Sequence, residues 1–275
     1  GNPEKGEIYW QFEQAIEGMA EACEALDTPV VSGNVSFYNE SFGNAIYPTP
    51  MVGMLGLYDD VSVHIDHSFK DEGDLVLLLG PDAAWMDGSE YQKVRYGVVA
   101  GRVPDVDLEA ERRLQAALRA AIGRRLLKSA HDCAEGGLAV ALAECAIGSG
   151  VNGGARYVDP EAPRAGDEAP TVNTGRWRGA HVELPEALLA APGQPRGAAG
   201  RPDLALFGEA PTRVVVTCAP ADRVALETLL GDVPHRVVGV VTGDSLRCSM
   251  KGSELFEVPV SALRAAYESL PDRLA

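Results

Sequence analysis

The 275-residue sequence has no apolar run of the roughly 20 residues that a membrane-spanning helix needs. It also lacks the basic and apolar segments of a signal peptide at its start. We therefore expect no membrane partner. The sequence begins with Gly1-Asn2-Pro3 and not with methionine, which predicts a fragment or a processed chain.

Positive charge is scarce: 24 Lys and Arg residues face 40 Asp and Glu residues, for a net charge of -16. Non-specific nucleic-acid affinity comes mainly from Lys and Arg neutralising phosphates, so nucleic acid is not an expected partner. An anionic small molecule stays possible, because a local site can be positive on an acidic protein.

Cysteine is also sparse, and no two cysteines form a C-x-x-C pair. This spacing argues against a zinc site and against a disulfide framework, and it fits reduced thiols in a cytoplasmic protein. The five cysteines are Cys23, Cys133, Cys145, Cys218 and Cys248.

Hydrophobic residues make up 46% of the chain, enough for a sizeable core. Strand and helix patterns interleave, but several connections are as short as hairpins, which favours an α+β fold with mixed sheets over a Rossmann fold. The predicted helices span 8–26, 89–96, 108–122, 221–230 and a last segment that ends at Leu270. Residues 126–150 predict a strand, then a glycine turn, then a helix. The predicted strands span 30–38, 51–58, 61–69, 75–80, 212–218, 236–241, 246–250 and 255–258.

Two domains are predicted, with an edge at Asp59-Asp60: residues 1–60 and residues 61–275. Residues 159–202 are rich in Pro, Gly, Ala and Arg and show little periodicity apart from a possible short helix at 185–189. We interpret this segment as a surface insertion.

The stretch "PVVSGNVSFYNES", Pro29 to Ser41, begins like a buried strand but places polar residues at alternate positions. In a strand, Ser32, Asn34, Ser36 and Tyr38 would share one face, and Val31, Val35 and Phe37 the other. A glycine inside a strand usually marks a bulge or a group that approaches the backbone closely, and a phosphate could be that group at Gly33. The alternative is a turn or a solvated polar face.

A second candidate is "HDCAEGG", which places Asp132 at a strand end and Gly136-Gly137 at a helix start. Such a helix start suits an anion. The alternative, which we favour, is that the glycines permit a tight turn and close packing while Asp132 caps the helix or turn.

The histidines suggest structure more than chemistry. His64 and His67 fall on opposite faces of a predicted strand, so they do not form a metal pair. His131 is expected to be buried and hydrogen-bonded, and the acidic run 105–111 to be a solvated helix start.

Five segments, in order, closely resemble the phosphoribosylformylglycinamidine synthase family, and the resemblance extends over nearly the whole chain outside 159–202. They are "GNPEKGEIYWQF" (1–12), "PVVSGNVSFYNES" (29–41), "YPTPMVGMLGL" (47–57), "SAHDCAEGGLAVALAE" (129–144) and "LFGEAPTRVVV" (206–216).

The resemblance implies a fold and a reaction. The family's synthetase has two similar halves, each an N-type aminoimidazole-ribonucleotide-synthetase-like α/β domain followed by a C-type α+β domain. This chain resembles the tail of the second N-type domain followed by a complete second C-type domain. The implied reaction is the ATP- and magnesium-dependent amidation of formylglycinamide ribonucleotide to the amidine in purine biosynthesis. ATP activates the amide oxygen as a phosphoryl imidate, and ammonia displaces phosphate.

Carried over residue by residue, the resemblance implies that Gly33 contacts ATP, Asn34 binds magnesium and Ser36 touches the substrate. It assigns no catalytic residue here, because those belong to the family's first half, so the isolated chain is expected to be inactive. Where that half has a substrate-binding Glu-Ser-Gln, this sequence has Glu209-Ala210-Pro211. The change suggests a degenerate copy in which Glu209 forms a structural salt bridge or hydrogen bond.

The implied partners are formylglycinamide ribonucleotide, the rest of the synthetase chain and, if Ala275 is the true end, a separate glutaminase and a small bridging subunit. Two alternatives stay open. One is a related enzyme, aminoimidazole ribonucleotide synthetase or selenophosphate synthetase. The other is a structural or regulatory module that binds a nucleotide without turnover.

Overall fold

The computed structural model describes residues 1–152, 177–189 and 201–269. It divides into two compact units, unit 1 at Gly1–Asp59 and unit 2 at Asp60–Ala275. The division falls between the two aspartates at which the sequence predicts a domain edge.

Unit 1 consists of helix α1 (Gly6–Ala25), an extended segment, and a hairpin of two short antiparallel strands, β1 (Glu40–Ser41) and β2 (Asn44–Ala45). The predicted first helix is confirmed. Its partly buried positions recur every three or four residues and include Ile8, Phe12, Ala15, Met19 and Ala22. Trp10 and Ile16, which are also apolar residues of this helix, are exposed.

The strands predicted at 30–38 and 51–58 are wrong: both segments are irregular in the structure. A strand needs a neighbour to pair its backbone N–H and C=O groups. Unit 1 offers these segments no ladder partner, since its one sheet joins only β1 and β2. The side chains predicted to face a core are exposed as well, Val31 at 93% and Val35 at 54%.

Unit 2 is built on one seven-stranded sheet, in the order β4-β6-β3-β7-β5-β8-β9. Every neighbouring pair is antiparallel except β5 and β8, which are parallel. The predicted mixed sheet of an α+β fold is therefore confirmed. The strands are β3 (Leu75–Leu79), β4 (Ser129–Asp132), β5 (Ala180–Glu183), β6 (Val214–Cys218), β7 (His235–Val241), β8 (Ser245–Met250) and β9 (Ser253–Pro259).

Helices cover both faces of this sheet. They are α2 (Glu90–Tyr96), α3 (Leu108–Gly123), α4 (Gly137–Asn152), α5 (Pro202–Phe207), α6 (Arg223–Leu230) and α7 (Val260–Glu268), with short 3-10 turns at Val61–Val63, Glu186–Leu189 and Pro220–Asp222. All the helices except α5 lie where the sequence predicts them, and the end predicted at Leu270 lies outside the described residues.

The central strand β3 shows why the core has two sides. Val76 and Leu78 pack in a cluster that includes residues of α4 and α7. Leu77 and Leu79 pack in a second cluster with residues of α3 and α6. A strand covered on both faces has to be apolar throughout, which explains the run "LVLLL".

Two further predictions are wrong. Residues 61–69 do not form a strand, because the Asp60 carboxylate caps the turn Val61–Val63 by accepting the Ser62 N–H at 2.8 Å. Residues 180–183 are not a surface insertion, because β5 lies between β7 and β8 with Ala180 and Val182 buried. Residues 159–176 and 190–200 of the predicted insertion lie outside the described residues.

The chain leading into β5 passes close beneath the connection from β7 to β8. Gly179 donates to the Gly243 carbonyl at 2.8 Å and accepts from the Thr242 N–H at 3.1 Å. A Cβ on Gly179 would lie 2.0 Å from the Ser245 carbonyl oxygen, so only glycine fits at this position.

Within the described ranges, none of the helices is both long and apolar enough to cross a membrane.

Candidate functional site

The candidate ligand residues of unit 1 lie on the extended segment between α1 and β1. Gly33, Asn34 and Ser36 are all exposed, and the Ser36 carbonyl accepts from the Asn39 side-chain amide at 3.4 Å. A Cβ added to Gly33 would meet no atom within 4 Å. Among the described residues, none therefore blocks approach to the backbone at Gly33.

The end of this segment is fastened to α1. The rings of Phe37 and Phe12 meet edge to face with centroids 5.3 Å apart. The Tyr38 N–H donates to the Gly1 carbonyl at 2.8 Å, and Tyr38 has a left-handed φ of 60°. Ser36 is thus followed at once by two anchored residues.

A magnesium ion prefers several hard oxygen ligands in octahedral geometry, and the Asn34 amide oxygen is a suitable donor of that kind. In the part of the chain that the structure describes, no group of three or more His, Cys, Asp and Glu side chains could hold a metal ion. A magnesium ion at Asn34 would therefore need further ligands besides this amide oxygen.

Unit 2 contains a cleft of about 540 Å³ where β4 ends, at Asp132, and β6 begins, at Val214. Loops 87–88, 103–106, 132–135 and 209–213 form its walls together with the start of α3. Its charged lining is mostly acidic: Asp87, Glu111, Asp132, Glu135, Glu209 and Arg213.

Glu209 holds two of these loops together. Its Oε1 accepts the Gly136 N–H at 2.8 Å and the Glu90 N–H at 2.9 Å. Its own N–H donates to the Trp85 carbonyl at 2.8 Å. The predicted structural hydrogen bond is confirmed, and it is made to backbone amides.

The paired glycines before α4 have the structural role that we favoured. Gly136 and Gly137 have φ values of 80° and 66°, which glycine adopts without strain. A Cβ on Gly137 would lie 2.6 Å from the Gly208 carbonyl oxygen. The turn therefore brings α4 close against the loop that carries Glu209. Asp132 is largely exposed, with its carboxylate 3.2 Å from His131 Nδ1.

Arg213 is a residue that the sequence reasoning missed. It is only 2% exposed, and its Nη1 donates to the Gly208 carbonyl at 3.4 Å. Nε and Nη2 have no hydrogen-bond partner in the structure. Burial lowers the pKa of this guanidinium, although the Cys133 and Asp82 charges oppose the shift. A basic residue directly before the apolar run Val214–Cys218 was the available signal.

His131 is hydrogen-bonded as predicted, with Nε2 2.8 Å from Glu144 Oε2, but it is only partly buried, with its side chain 18% exposed. His64 and His67 lie on the irregular segment that replaces the predicted strand, and the His67 ring is 5.1 Å from the His131 ring. The argument that His64 and His67 lie on opposite faces of a strand, and so do not form a metal pair, therefore no longer applies.

The described cysteines are free thiols. Desolvation raises the pKa of Cys133, on the cleft wall, to about 11, and that of Cys248 to about 12. At neutral pH these thiols are protonated, and nucleophilic chemistry requires the thiolate.

Two family models match the chain. The AIR synthase related protein, N-terminal domain, matches residues 1–58. The AIR synthase related protein, C-terminal domain, matches residues 71–250.

Similar proteins include two bacterial subunits named phosphoribosylformylglycinamidine synthase subunit PurL. The subunit of Moorella thermoacetica is 40% identical over 278 residues, covering 100% of this chain and 33% of the relative. The subunit of Symbiobacterium thermophilum is 41% identical over 286 residues, and the match covers 98% of this chain and 32% of that relative. The chain spans about a third of the length of the curated relatives it matches.

Among solved structures, T. maritima PurL complexed with FGAR is similar, with a TM-score of 0.52 and 19% identity. The match covers 74% of this chain and 29% of that one, and it shows a common fold.

Proposed function

The chain belongs to the family of AIR synthase related proteins, and from this membership we propose that it is the carboxy-terminal part of a phosphoribosylformylglycinamidine synthase. The observation that carries the proposal is the identity of about 40% with PurL subunits along the whole chain. These relatives favour the amidine-forming enzyme over aminoimidazole ribonucleotide and selenophosphate synthetases.

The intact protein would then be an ATP-dependent C–N ligase, which uses ATP and ammonia to convert formylglycinamide ribonucleotide to the amidine. In this proposal Gly33 lies against ATP, Asn34 is a magnesium ligand and Ser36 contacts the substrate. The open backbone at Gly33 and the exposed positions of Asn34 and Ser36 support these roles. Magnesium, when bound, would offset phosphate charge during phosphoryl transfer.

The proposal gives the chain no catalytic residue, so the isolated polypeptide should not release ADP in the presence of substrate and ammonia. The partners would be the rest of the synthetase chain, a separate glutaminase and a small bridging subunit, all in the cytoplasm.

The test is to co-express the chain with the amino-terminal part of a PurL relative and to assay the amidine product. We expect product from the complex, none from the chain alone, and a loss of at least tenfold with Asn34→Ala. Losing one metal-bound or hydrogen-bonded contact of about 1.4 kcal/mol or more has this effect.

Asn44→Ala is the matched control, because Asn44 is also an exposed asparagine of unit 1. Its complex should keep full activity. Equal activities of the two variants, in complexes of equal yield, would contradict the role of Asn34.

A second candidate is a nucleotide-binding structural module without turnover. It is favoured by Glu209-Ala210-Pro211, which lacks the hydroxyl and amide of the expected triplet, and by the use of the Glu209 carboxylate for backbone contacts. Nucleotide that stays bound through purification of the active complex, without being hydrolysed, would support this reading.

A further inference from the structure

Two backbone amides from distant parts of the chain converge on one oxygen in the unit 2 cleft. The Gly136 N–H and the Glu90 N–H lie 2.8 and 2.9 Å from Glu209 Oε1. Gly136 immediately precedes the 16-residue helix α4. Unpaired N–H groups at the start of a helix carry partial positive charge and attract anions.

Neither donor depends on Glu209 alone for its position. The Ser89 side chain, which is buried, caps α2 by accepting from the Gln92 N–H at 3.2 Å, and this fixes the backbone at Glu90. The Gly137 N–H donates to the Ala134 carbonyl at 3.0 Å and closes the turn at Gly136. Both amides should therefore stay in place when the carboxylate is removed.

Arg213 is an independent sign that the same cleft accommodates an anion. It lines the same cleft, is 2% exposed, and donates to the carbonyl of Gly208, the neighbour of Glu209. Its Nε and Nη2 groups have no acceptor among the described residues. Buried charges are normally paired, so an anion would complete the contacts of this guanidinium. The carboxylates of Asp132 and Glu135 lie exposed at the rim, where water and salt screen them.

We propose that these groups form an anion-binding site for a small carboxylate, and that the side chain of Glu209 is its built-in ligand. In the native chain the site is filled from within, and an anionic ligand has to displace Glu209 to use it. Truncation to alanine removes a group of the size of acetate and leaves the two amides unpaired. Free acetate should then bind in its place. The proposal concerns unit 2 alone and does not depend on the proposed function.

The experiment compares the 275-residue chain with its Glu209→Ala variant by thermal unfolding at neutral pH, in sodium acetate, sodium formate and sodium chloride of equal ionic strength. In chloride the variant should unfold about 5–10 °C lower, because two partly buried amides lose a charged acceptor. Acetate and formate should restore most of this loss with a saturable concentration dependence.

Glu254→Ala is the control, because Glu254 accepts from the Arg247 side chain and not from backbone amides. For the wild-type chain and for this control, the unfolding temperature of each protein should be the same in all three salts. An equal response of all the proteins to acetate, or no response of folded Glu209→Ala, would overturn the proposal.

A variant too unstable to fold in chloride still decides the question by refolding. Recovery of folded Glu209→Ala in acetate but not in chloride would support the site, and failure in both would refute it. Glu209→Gln keeps an acceptor oxygen in the site. This variant should retain slow hydrogen exchange at the Gly136 and Glu90 amides, and its unfolding temperature should not respond to acetate. A response as large as that of Glu209→Ala would also refute the site.

Discussion

Units 1 and 2 contain similar apolar stretches, but the stretch in unit 2 is buried in a sheet and the stretch in unit 1 is exposed. The stretch "LVLLL" of unit 2 becomes β3, which is paired with β6 on one side and β7 on the other. The stretch "MVGMLGL" of unit 1, residues 51–57, forms no ladder, and its Leu55 and Leu57 are each 91% exposed. Unit 1 has no buried residue at all. Apolar side chains form a core only where neighbours complete the ladder and cover its faces.

The two units also differ in that unit 1 carries the proposed ligand residues and unit 2 carries the packed core. The segment that most resembles a ligand site, around Asn34, lies in the unit without a core of its own. The described residues of unit 2 form two large packed clusters and one small one, and backbone contacts through Glu209 hold the loops of its cleft. Stability and proposed ligand contact therefore belong to different units.

The largest contrast is expected from matched leucine truncations. Leu78→Ala in unit 2 should lower the free energy of unfolding by about 2–5 kcal/mol, because Leu78 is 1% exposed and its removal leaves a cavity. Leu57→Ala in unit 1 should change it by less than about 0.5 kcal/mol. Urea unfolding followed by circular dichroism measures both values. Similar losses would show that unit 1 is packed as tightly as unit 2.

A matched pair of glycine substitutions should give a smaller contrast. Gly179→Ala places a Cβ 2.0 Å from the Ser245 carbonyl oxygen, so the backbone must shift, at a cost of about 1–3 kcal/mol. Gly33→Ala meets no atom within 4 Å and should leave the thermal unfolding temperature unchanged. Calorimetry of both variants is the measurement, and a destabilised Gly33→Ala would place that backbone in a packed environment.

The smallest contrast concerns acid stability. Burial raises the pKa of Asp66, but hydrogen bonds from Lys70 and from the Ser68 N–H outweigh it, so the pKa lies below its ordinary value. A lowered folded-state pKa stabilises the protein above the unfolded value of 3.8, and this contribution is lost as the pH falls through the folded value.

Asp66→Asn should therefore destabilise the chain at neutral pH, and its difference from the wild type should shrink below about pH 4. Asp59→Asn, at an exposed position of unit 1, is the control and should have a smaller effect at every pH. Urea unfolding between pH 3 and pH 7 measures both. A constant difference for Asp66→Asn across this range would contradict the assignment.

Much of unit 2 could be predicted because its local signals agree with its packing. The helix at 108–123 shows this: Asp107 caps it by accepting the N–H groups of Glu109 and Ala110, and the acidic run predicted its start. The strand β5 could not be predicted, because "AHVE" is short and follows residues rich in glycine, proline and arginine. Its place in the sheet comes from β7 and β8, which no local pattern reveals.

The candidate sites were predictable to different degrees. The motif around Gly33, Asn34 and Ser36 was recognised from the sequence, but its strand was wrong because alternation does not supply a ladder partner. The structural use of Glu209 was expected, whereas its two amide partners lie 73 and 119 positions away and had no sequence signal. Arg213 was missed because its burial depends on the loop at Gly208.

The insertion of β5 between β7 and β8 has a consequence for the order of folding. These two strands are joined by residues 242–244 alone, a length at which neighbouring strands usually pair directly. Here the gap must instead receive a strand from far back in the chain, and contacts of such high sequence separation form slowly. We therefore expect direct pairing of β7 with β8 to compete with the entry of β5 during folding. Before β5 enters, each of the two strands would have an unpaired edge to which another chain could add.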